Sequence, residues 1–537
     1  MKRTLLLGLL LPALAHAYQP GKIYHLTVLH TNDTHGRFWA NEHGEYGQAA
    51  QQTLVKSIRN EVAKQGGALL VLHAGDINTG VPESDLQNAR PDIEGMNAIG
   101  YEAMTLGNHE FDNPLQLLAM QEKWAKFPFL SANTHWKSNG KNLVKPYVIL
   151  NKQGLNIAVV GLTTEDTAVV GNPDYTGKVR FDLPETAARQ TLAQLAKKPV
   201  DITIGLTHMG YYENGGHGSN APGDVELARA LPAGAFDMII GGHSHTTVCT
   251  DNQGRLKADF KPGDACTPDR QNGTWIMQAG EWGKYLGRAD FTFKDGKLTL
   301  DAYRLIPVNL KYKTTGADGK EHYQTYQSEI IPDADLLARL KTYQDQGDKL
   351  LNVNIGQVEG KLEGGRDLVR SQRTNLGRLV ARAQREFTQA DLAVINSGGI
   401  RDSIESGKVS YRDILKVQPF GNTVSYISLT GSELADYLKA VGLKQPGSGG
   451  YPQLDNVQFD VDYGKQQISH IRIGGQELQA GKTYRLSIPS YLAAGGDGYP
   501  KITDRPSYVN TGFVDAKILK QYFQKHSPIQ ASAYAPQ

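Results

Sequence analysis

The densest run of chemistry-bearing side chains in this sequence is Gly107-Asn108-His109-Glu110-Phe111-Asp112, which sets an amide, an imidazole and two carboxylates directly behind the apolar residues 103–106. An Asn oxygen can ligate a cation, a His can give a proton to a leaving group, and an Asp one helical turn later can orient that His. Taken alone, the stretch fits equally well as a polar turn capping a helix that starts near Asn113-Pro114. Four further clusters bear on the choice. Asp33 and His35 follow the apolar residues 26–29, Asp76 follows 68–72, His208 follows 202–206, and His243 with His245 follows 238–240. Asp33 and His35 are two apart, so on an extended segment they point the same way, and His243 and His245 share that spacing. None of these clusters holds a Cys. An oxygen-and-nitrogen donor set suits Zn²⁺, Mn²⁺, Co²⁺ or Fe²⁺ and argues against a closed thiolate site.

Asp33, His35, Asp76, Asn108, His208, His243 and His245 are more donors than one four-coordinate ion needs. They suit two ions if a carboxylate bridges them, and Asp76, solitary after Gly75, is the expected bridge. Two divalent ions offset by Asp33, Asp76 and a hydroxide leave roughly one positive charge, which favours a phosphate dianion. His25, His30 and His73 are read as packed residues without a role.

These side chains must be placed by the elements before them. Continuous apolar runs of this length indicate strands buried on both faces, with the intervening helical segments covering the sheet. In such α/β layers ligands meet the loops leaving the carboxyl ends of strands, so all five clusters should converge on one rim. Residues 157–162 form another buried strand. Residues 275–278, 287–293 and 298–300 are expected to form a meander that completes a second sheet. Pro332 opens a helical segment, residues 331–354, with Leu336, Leu337, Leu340 and Tyr343 at helical spacing, read as a linker or hinge. The first domain is then residues 22–330. Residues 355–530 alternate strands with Gly-rich turns and form a second α/β domain.

At 537 residues the chain predicts roughly two to four domains. Its 39% hydrophobic and 21% charged content is that of an ordinary globular protein. Lys2-Arg3, the apolar residues 5–14 and Ala15-His16-Ala17 read as a secretory signal, residues 1–17, too short to span a membrane. A soluble exported protein follows, periplasmic in a Gram-negative cell. Without Lys2 and Arg3 the basic and acidic residues balance, against a nucleic-acid or anionic-membrane partner. The two Cys, Cys249 and Cys266, are expected to form a disulfide in an oxidising compartment.

Phe420 and Tyr491 each lie in a turn beside Gly, where two rings could sandwich a nucleobase or plug the space beneath loops.

Asp33-x-His35, Gly75-Asp76, Gly107-Asn108-His109-Glu110, Thr207-His208 and Gly242-His243-Ser244-His245 together resemble the motif set of the calcineurin-like dinuclear metallophosphoesterases. Asn396-Ser397-Gly398-Gly399-Ile400-Arg401 and Gly495-Gly496-Asp497-Gly498 narrow the resemblance to the 5′-nucleotidase family, including members that also hydrolyse UDP-sugars. The resemblance covers nearly the whole exported chain. It implies a four-layer α/β/β/α first domain and two divalent ions, zinc first, with manganese or cobalt as alternatives. Asp33, His35, Asp76 and His245 would hold one ion, and Asp76, Asn108, His208 and His243 the other. His109 with Asp112 would be the catalytic dyad. Phe420 and Tyr491 would clamp the base, Arg370 and Arg401 would meet anionic or polar parts of the substrate, Asn396 and Asn422 the nucleoside, and Asp497 the ribose. Tyr491 stands where relatives carry Phe, and some relatives carry Gln in place of His245. Arg373 and Arg378 are read as solvated.

The expectation is a secreted, monomeric metallohydrolase that cleaves 5′-nucleotides to nucleoside and phosphate, and UDP-sugars to UMP and sugar 1-phosphate. The rivals are a 2′,3′-cyclic phosphodiesterase with 3′-nucleotidase activity, and a nucleoside-binding protein with a vestigial metal site.

Overall fold

The computed structural model describes residues 18–171, 173–212, 221–315 and 321–536. The expected signal segment, residues 1–17, lies outside them.

Two six-stranded sheets form the heart of the first domain. In the first, β1 (Tyr24–Thr31), β2 (Ala68–His73), β3 (Ala103–Thr105) and β4 (Phe129–Leu130) run parallel. In the second, β5 (Tyr147–Lys152) pairs antiparallel with β6 (Leu155–Thr163). β7 (Ile202–His208), β8 (Met238–Ile240) and β10 (Thr274–Met277) then run parallel to β6, with β9 (Asp269–Gln271) antiparallel at the edge. Alternation along each strand builds the layers. Leu26 and Val28 join Ile157, Val159, Ile202 and Ile204 in one core between the sheets. Leu29 and Val71 turn outward into a core with Val55, Ile58 and Ile93 of helices α1 (Gln48–Lys64) and α2 (Arg90–Ile99). Val160 and Ile239 do the same on the far side, against Ala187 and Ala188 of α3 (Pro184–Leu195). The result is the expected helix, sheet, sheet, helix stack.

One expectation fails. Residues 274–277 complete the second sheet, but the hairpin of β11 (Tyr285–Lys294) and β12 (Lys297–Pro307) joins the first, where β11 lies antiparallel to β1 with Tyr24 opposite Phe293. Phe291 and Phe293 enter the core shared by both sheets, so their pattern fixes a buried face without choosing the neighbouring strand.

The Cys249–Cys266 disulfide forms and closes a loop with a sequence separation of 17. A loop of that size loses about 3 kcal/mol of unfolded-state entropy on crosslinking.

Helix α4 (Ala334–Leu351) starts at Asp333, whose side chain accepts from the Leu336 amide, a cap contributing about 0.5–2 kcal/mol. Its Leu336 and Leu340 are buried in the outer core of the first domain, so its apolar face is docked there. At its far end Arg412 bonds Glu83 of the first domain and, at 2.6 Å, Asp348 of the helix itself.

The second domain carries a five-stranded sheet in which β13 (Leu392–Asn396), parallel to β16 (Thr483–Pro489), lies between it and β15 (Pro452–Asp455). β14 (Thr423–Thr430) pairs antiparallel with β16 and with β17 (Val509–Val514). Two arginines read from sequence as solvated are engaged here instead. Arg378 reaches the buried Asp455 at 3.2 Å together with Arg382 and Arg385, and the Arg373 guanidinium lies 5.1 Å from the Phe459 ring centre.

Candidate active site

The loops after β1, β2, β3, β7 and β8 meet at one rim. Asp33 Oδ1 lies 3.9 Å from His35 Nε2, 3.3 Å from His245 Nε2 and 3.9 Å from His208 Nε2. Asp76 Oδ2 stands between the two imidazole groups, 3.8 Å from His35 and 3.0 Å from His208. Donor atoms of Asp33, His35 and His245 form one compact set, those of Asp76, His208 and His243 a second, and those of His35, Asp76 and His109 a third. Asn108 lies beside them, its Oδ1 buried without a hydrogen-bond partner among the described residues.

The expected mechanism of convergence is wrong in one respect. Asp33 and His35 are not on an extended segment: their φ angles are 51° and 48°, and those of Asp76, His243 and His245 are 59°, 83° and 56°. The strands have ended, and left-handed turns rather than strand alternation aim these side chains inward. Such conformations cost about 1–2 kcal/mol each for residues with a Cβ, so other contacts must hold them. Glu110 supplies several. Its buried carboxylate accepts from the amides of Gly107 at 2.6 Å, Asp76 at 3.0 Å and Ile77 at 3.0 Å, and from Asn78 Nδ2 at 3.0 Å. It thereby ties the loop after β2 to the loop after β3. Gly107 is required between them, since a Cβ there would lie 2.1 Å from Asp76 Oδ1.

Ring orientations are set by backbone acceptors. His35 Nδ1 pairs with the Thr79 carbonyl at 2.9 Å and His208 Nδ1 with the Ala74 carbonyl at 2.7 Å, so each Nδ1 carries a proton and each Nε2 is the atom turned to the centre. Burial pushes His35 and His243 down to about 3. Burial also opposes protonation of His208 and His245, but Asp76 and Asp33 at His208, and Asp33 and Glu281 at His245, raise them to about 10 and about 9.

His109 opens a single 3₁₀ turn, His109–Phe111, and Asp112 directly follows it. His109 Nδ1 and Asp112 Oδ2 are 2.5 Å apart, and Asp112 also accepts from Thr79 Oγ1 at 2.7 Å. Burial disfavours the imidazolium, yet Asp112 and Asp76 outweigh it and raise His109 to about 8. The His109 ring lies 6.0 Å from that of Phe420, nearly parallel at 13°, so the second domain reaches the rim.

On that facing wall, Asn396, Asn422, Tyr491 and Asp497 line the same cavity, of about 120 Å³, as His35, Asp76 and His109. Asn396 Nδ2 donates to Asp497 Oδ2 at 2.7 Å, and the Tyr491 hydroxyl donates to Asp497 Oδ1 at 2.9 Å. Gly496 packs flat against the Tyr491 ring, where a Cβ would lie 2.5 Å from the ring carbons. Arg370 is buried and Arg401 lies 5.5 Å from the Phe420 ring centre. Burial and then mutual repulsion with Arg366 and each other lower Arg370 to about 9; burial and Arg366 lower Arg401 to about 10.

Comparison with known proteins gives this arrangement a family. Residues 26–247 match the calcineurin-like phosphoesterase model, and residues 354–504 match the 5′-nucleotidase C-terminal domain. Protein UshA of Yersinia enterocolitica is 56% identical over 98% of this chain and 95% of its own. A 5′-nucleotidase of Vibrio cholerae is 54% identical over 97% of this chain and 94% of its own. The crystal structure of a 5′-nucleotidase precursor from Thermus thermophilus superposes with a TM-score of 0.72 at 27% identity, covering 94% of this chain and 96% of that one. The chain belongs to the 5′-nucleotidase family.

It is a hydrolase with a metallophosphoesterase domain, and that fold implies divalent metals. The donor set fits them. Two carboxylates, four imidazoles and the unsatisfied Asn108 oxygen are pressed together, and His35 Nε2 faces His245 Nε2 at only 3.2 Å. A shared cation between the two nitrogens, or the proton that His245 carries without one, accounts for that approach.

Sequence reasoning missed the residues that hold this 5′-nucleotidase rim in place. Asn32 donates to Asp33 Oδ2 at 2.7 Å and accepts from the Ala279 amide at 2.9 Å. Gln278 bonds Ser244, the Thr246 amide and the Gly242 carbonyl, fixing the loop of His243 and His245. Glu281 Oε2 sits 2.6 Å from His245 Nδ1. Gln278 and Glu281 lie just past β10, so the strand-end rule applied once more would have found them. Arg366, one helical turn before Arg370, was also missed. His30 and His73 are packed as expected, His30 against the Tyr303 hydroxyl and His73 against Thr34.

Proposed function

We propose that this protein is an exported, monomeric 5′-nucleotidase that releases phosphate from ribo- and deoxyribonucleoside 5′-monophosphates and also splits UDP-sugars to UMP and sugar 1-phosphate. The observation that carries this reading is the single cavity lined by His35, Asp76 and His109 on one wall and by Phe420, Tyr491 and Asp497 on the other. A metal rim alone would accept many phosphate esters, and the second wall supplies the selectivity.

Asp33, His35, Asp76 and His245 would hold one ion and Asp76, Asn108, His208 and His243 the other, with zinc preferred on the donor types. When bound, such a pair supplies Lewis acidity and water ionised near neutral pH for attack on phosphorus. Arg366, Arg370 and Arg401 hold the phosphate charge from the second domain, which relieves their mutual repulsion. Phe420 and Tyr491 stack the base, Asn396 and Asn422 meet the nucleoside, and Asp497 accepts from the ribose. Asp112 holds His109 at Nδ1, so the proton at Nε2 is the one delivered to the departing ribose oxygen. The balanced charge of the exported chain supports a small-molecule substrate without nucleic acid, and among the described residues no helix is long and apolar enough to cross a membrane. The leader pattern of residues 1–17 supports export, to the periplasm in a Gram-negative cell.

The test is a panel of AMP, UDP-glucose, 3′-AMP and 2′,3′-cyclic AMP, run with chelator and with zinc, manganese or cobalt restored. AMP and UDP-glucose should turn over, lose turnover with chelator, and regain it with zinc. Preference for 3′-AMP and the cyclic ester would favour the cyclic phosphodiesterase instead.

A further inference from the structure

A second chamber, of about 960 Å³, opens on the other side of the same rim. His35, His109, His245, Arg366, Arg370 and Arg401 line both this chamber and the smaller cavity. A phosphate group bound at those residues therefore sits in a shared partition, with the base clamp on one side and the chamber on the other. A nucleoside monophosphate ends at the partition and leaves the chamber to solvent.

We propose that this chamber is a subsite for the sugar half of a nucleotide sugar, the neutral, hydroxyl-rich group beyond the second phosphate. The inference rests on the UDP-sugar reading above and adds where that sugar lies and what holds it. Trp39, Glu42, Tyr46 and Asp402 line the chamber together with Arg37 and Trp282. Trp282 is covered on its ring by Arg37 at 4.0 Å and Lys284 at 4.1 Å, so it braces Arg37 rather than stacking a ligand. Trp39 packs on the outer core of the first domain and is half-buried, and no ring or cation is stacked on it among the described residues, so its uncovered face is the aromatic surface for the carbon-bound hydrogens of a pyranose. The Tyr46 hydroxyl accepts from Arg37 and keeps its own proton for a sugar oxygen, and Glu42 and Asp402 carry acceptors for sugar hydroxyls. A second nucleobase suits the chamber less well, because Trp282 is covered and the carboxylates of Glu42 and Asp402 stand beside the remaining rings, whereas the base side sets Phe420 and Tyr491 on one cavity.

The experiment compares UDP-glucose with UMP, which share the base and ribose and differ in the group that would enter the chamber. In Trp39→Ala the ratio of kcat/KM for UDP-glucose to that for UMP should fall about tenfold, carried by KM. Tyr46→Phe, which removes the hydroxyl and its bond to Arg37 but no packing, should lower the ratio about threefold. Calorimetric titration of the chelator-treated protein, which does not turn over, should show the same selective loss of UDP-glucose affinity. The UMP value reports folding in each variant. An unchanged ratio in both variants, with wild type cleaving UDP-glucose, would overturn the subsite alone. Wild type cleaving UMP but not UDP-glucose would overturn the substrate reading, and the subsite with it.

Discussion

The proposed metal rim and the proposed nucleoside clamp face each other across one cavity, yet they are held by different means. At the rim, Asp33, Asp76 and His208 are fully buried, five donors stand on left-handed backbone, and Glu110, Asn32, Gln278 and Glu281 cross-tie the loops. At the clamp, Phe420 and Tyr491 are only partly buried, Phe420 beside the left-handed Gly421 and Tyr491 not in the expected turn but in the short helix Ser490–Ala493, just before the left-handed Gly495. Strained backbone persists where its surroundings over-determine it, and the rim has that surplus of ties. Chemistry at phosphorus needs fixed donors, whereas stacking tolerates any base that offers a flat face.

This contrast can be broken most directly by removing metal. Chelation should abolish AMP hydrolysis while adenosine binding, followed by equilibrium dialysis, changes less than about threefold, since the clamp contributes no donor to the rim. A joint loss would show that the two walls are one structure. Next, His109→Ala should lower kcat by roughly 10²–10⁴ with little change in KM, measured with AMP at saturating zinc. Phe420→Ala should do the reverse. One lost stacking face is worth about 1–3 kcal/mol, so KM should rise roughly 5- to 150-fold with kcat largely kept. A fall in kcat instead would mean that the ring near His109 positions the dyad.

A smaller effect tests the first-domain scaffold. Asp92 is buried with Ser84 Oγ 2.5 Å from its carboxylate, and burial, reinforced by Asp85 against the Ser84 bond, pushes it up to about 8. An unfolded Asp titrates near 3.9, so the folded state retains a proton that the unfolded chain releases. The stabilisation is complete below about pH 4 and is lost as pH rises through about 8. The urea midpoint should therefore fall from pH 5 to pH 8, and Asp92→Asn should flatten that fall. An equal slope in the variant would remove Asp92 as its source.

Much of the first domain was legible in the sequence because both of its sheets are buried on two faces. Their strands read as unbroken apolar runs, and polar clusters stand out at the ends. The hairpin at residues 285–307 was assigned to the wrong sheet because alternation reveals a buried face but not a hydrogen-bonding neighbour. The left-handed turns were invisible because Asp33, His35 and Asp76 are not glycines, and only the completed network sustains those angles. Arg366 passed unnoticed because a guanidinium on a helix looks solvated until Arg370 and Arg401 are brought beside it. Nothing in the run of residues 107–112 marks Glu110 as a tie, and the structure gives it the specific task of joining two loops.

The hydroxyl of Tyr491 has a consequence for how the substrate is read. It bonds the carboxylate of Asp497, which Asn396 holds from the other side, so the ring proposed to stack a base and the acceptor proposed to meet a ribose are tied by a hydrogen bond. On the proposed roles, base and sugar recognition are then energetically coupled. In a double-mutant cycle, the penalty of Tyr491→Phe should be larger for ribonucleotides than for 2′-deoxyribonucleotides, because ordering one contact prepays the entropy of the other.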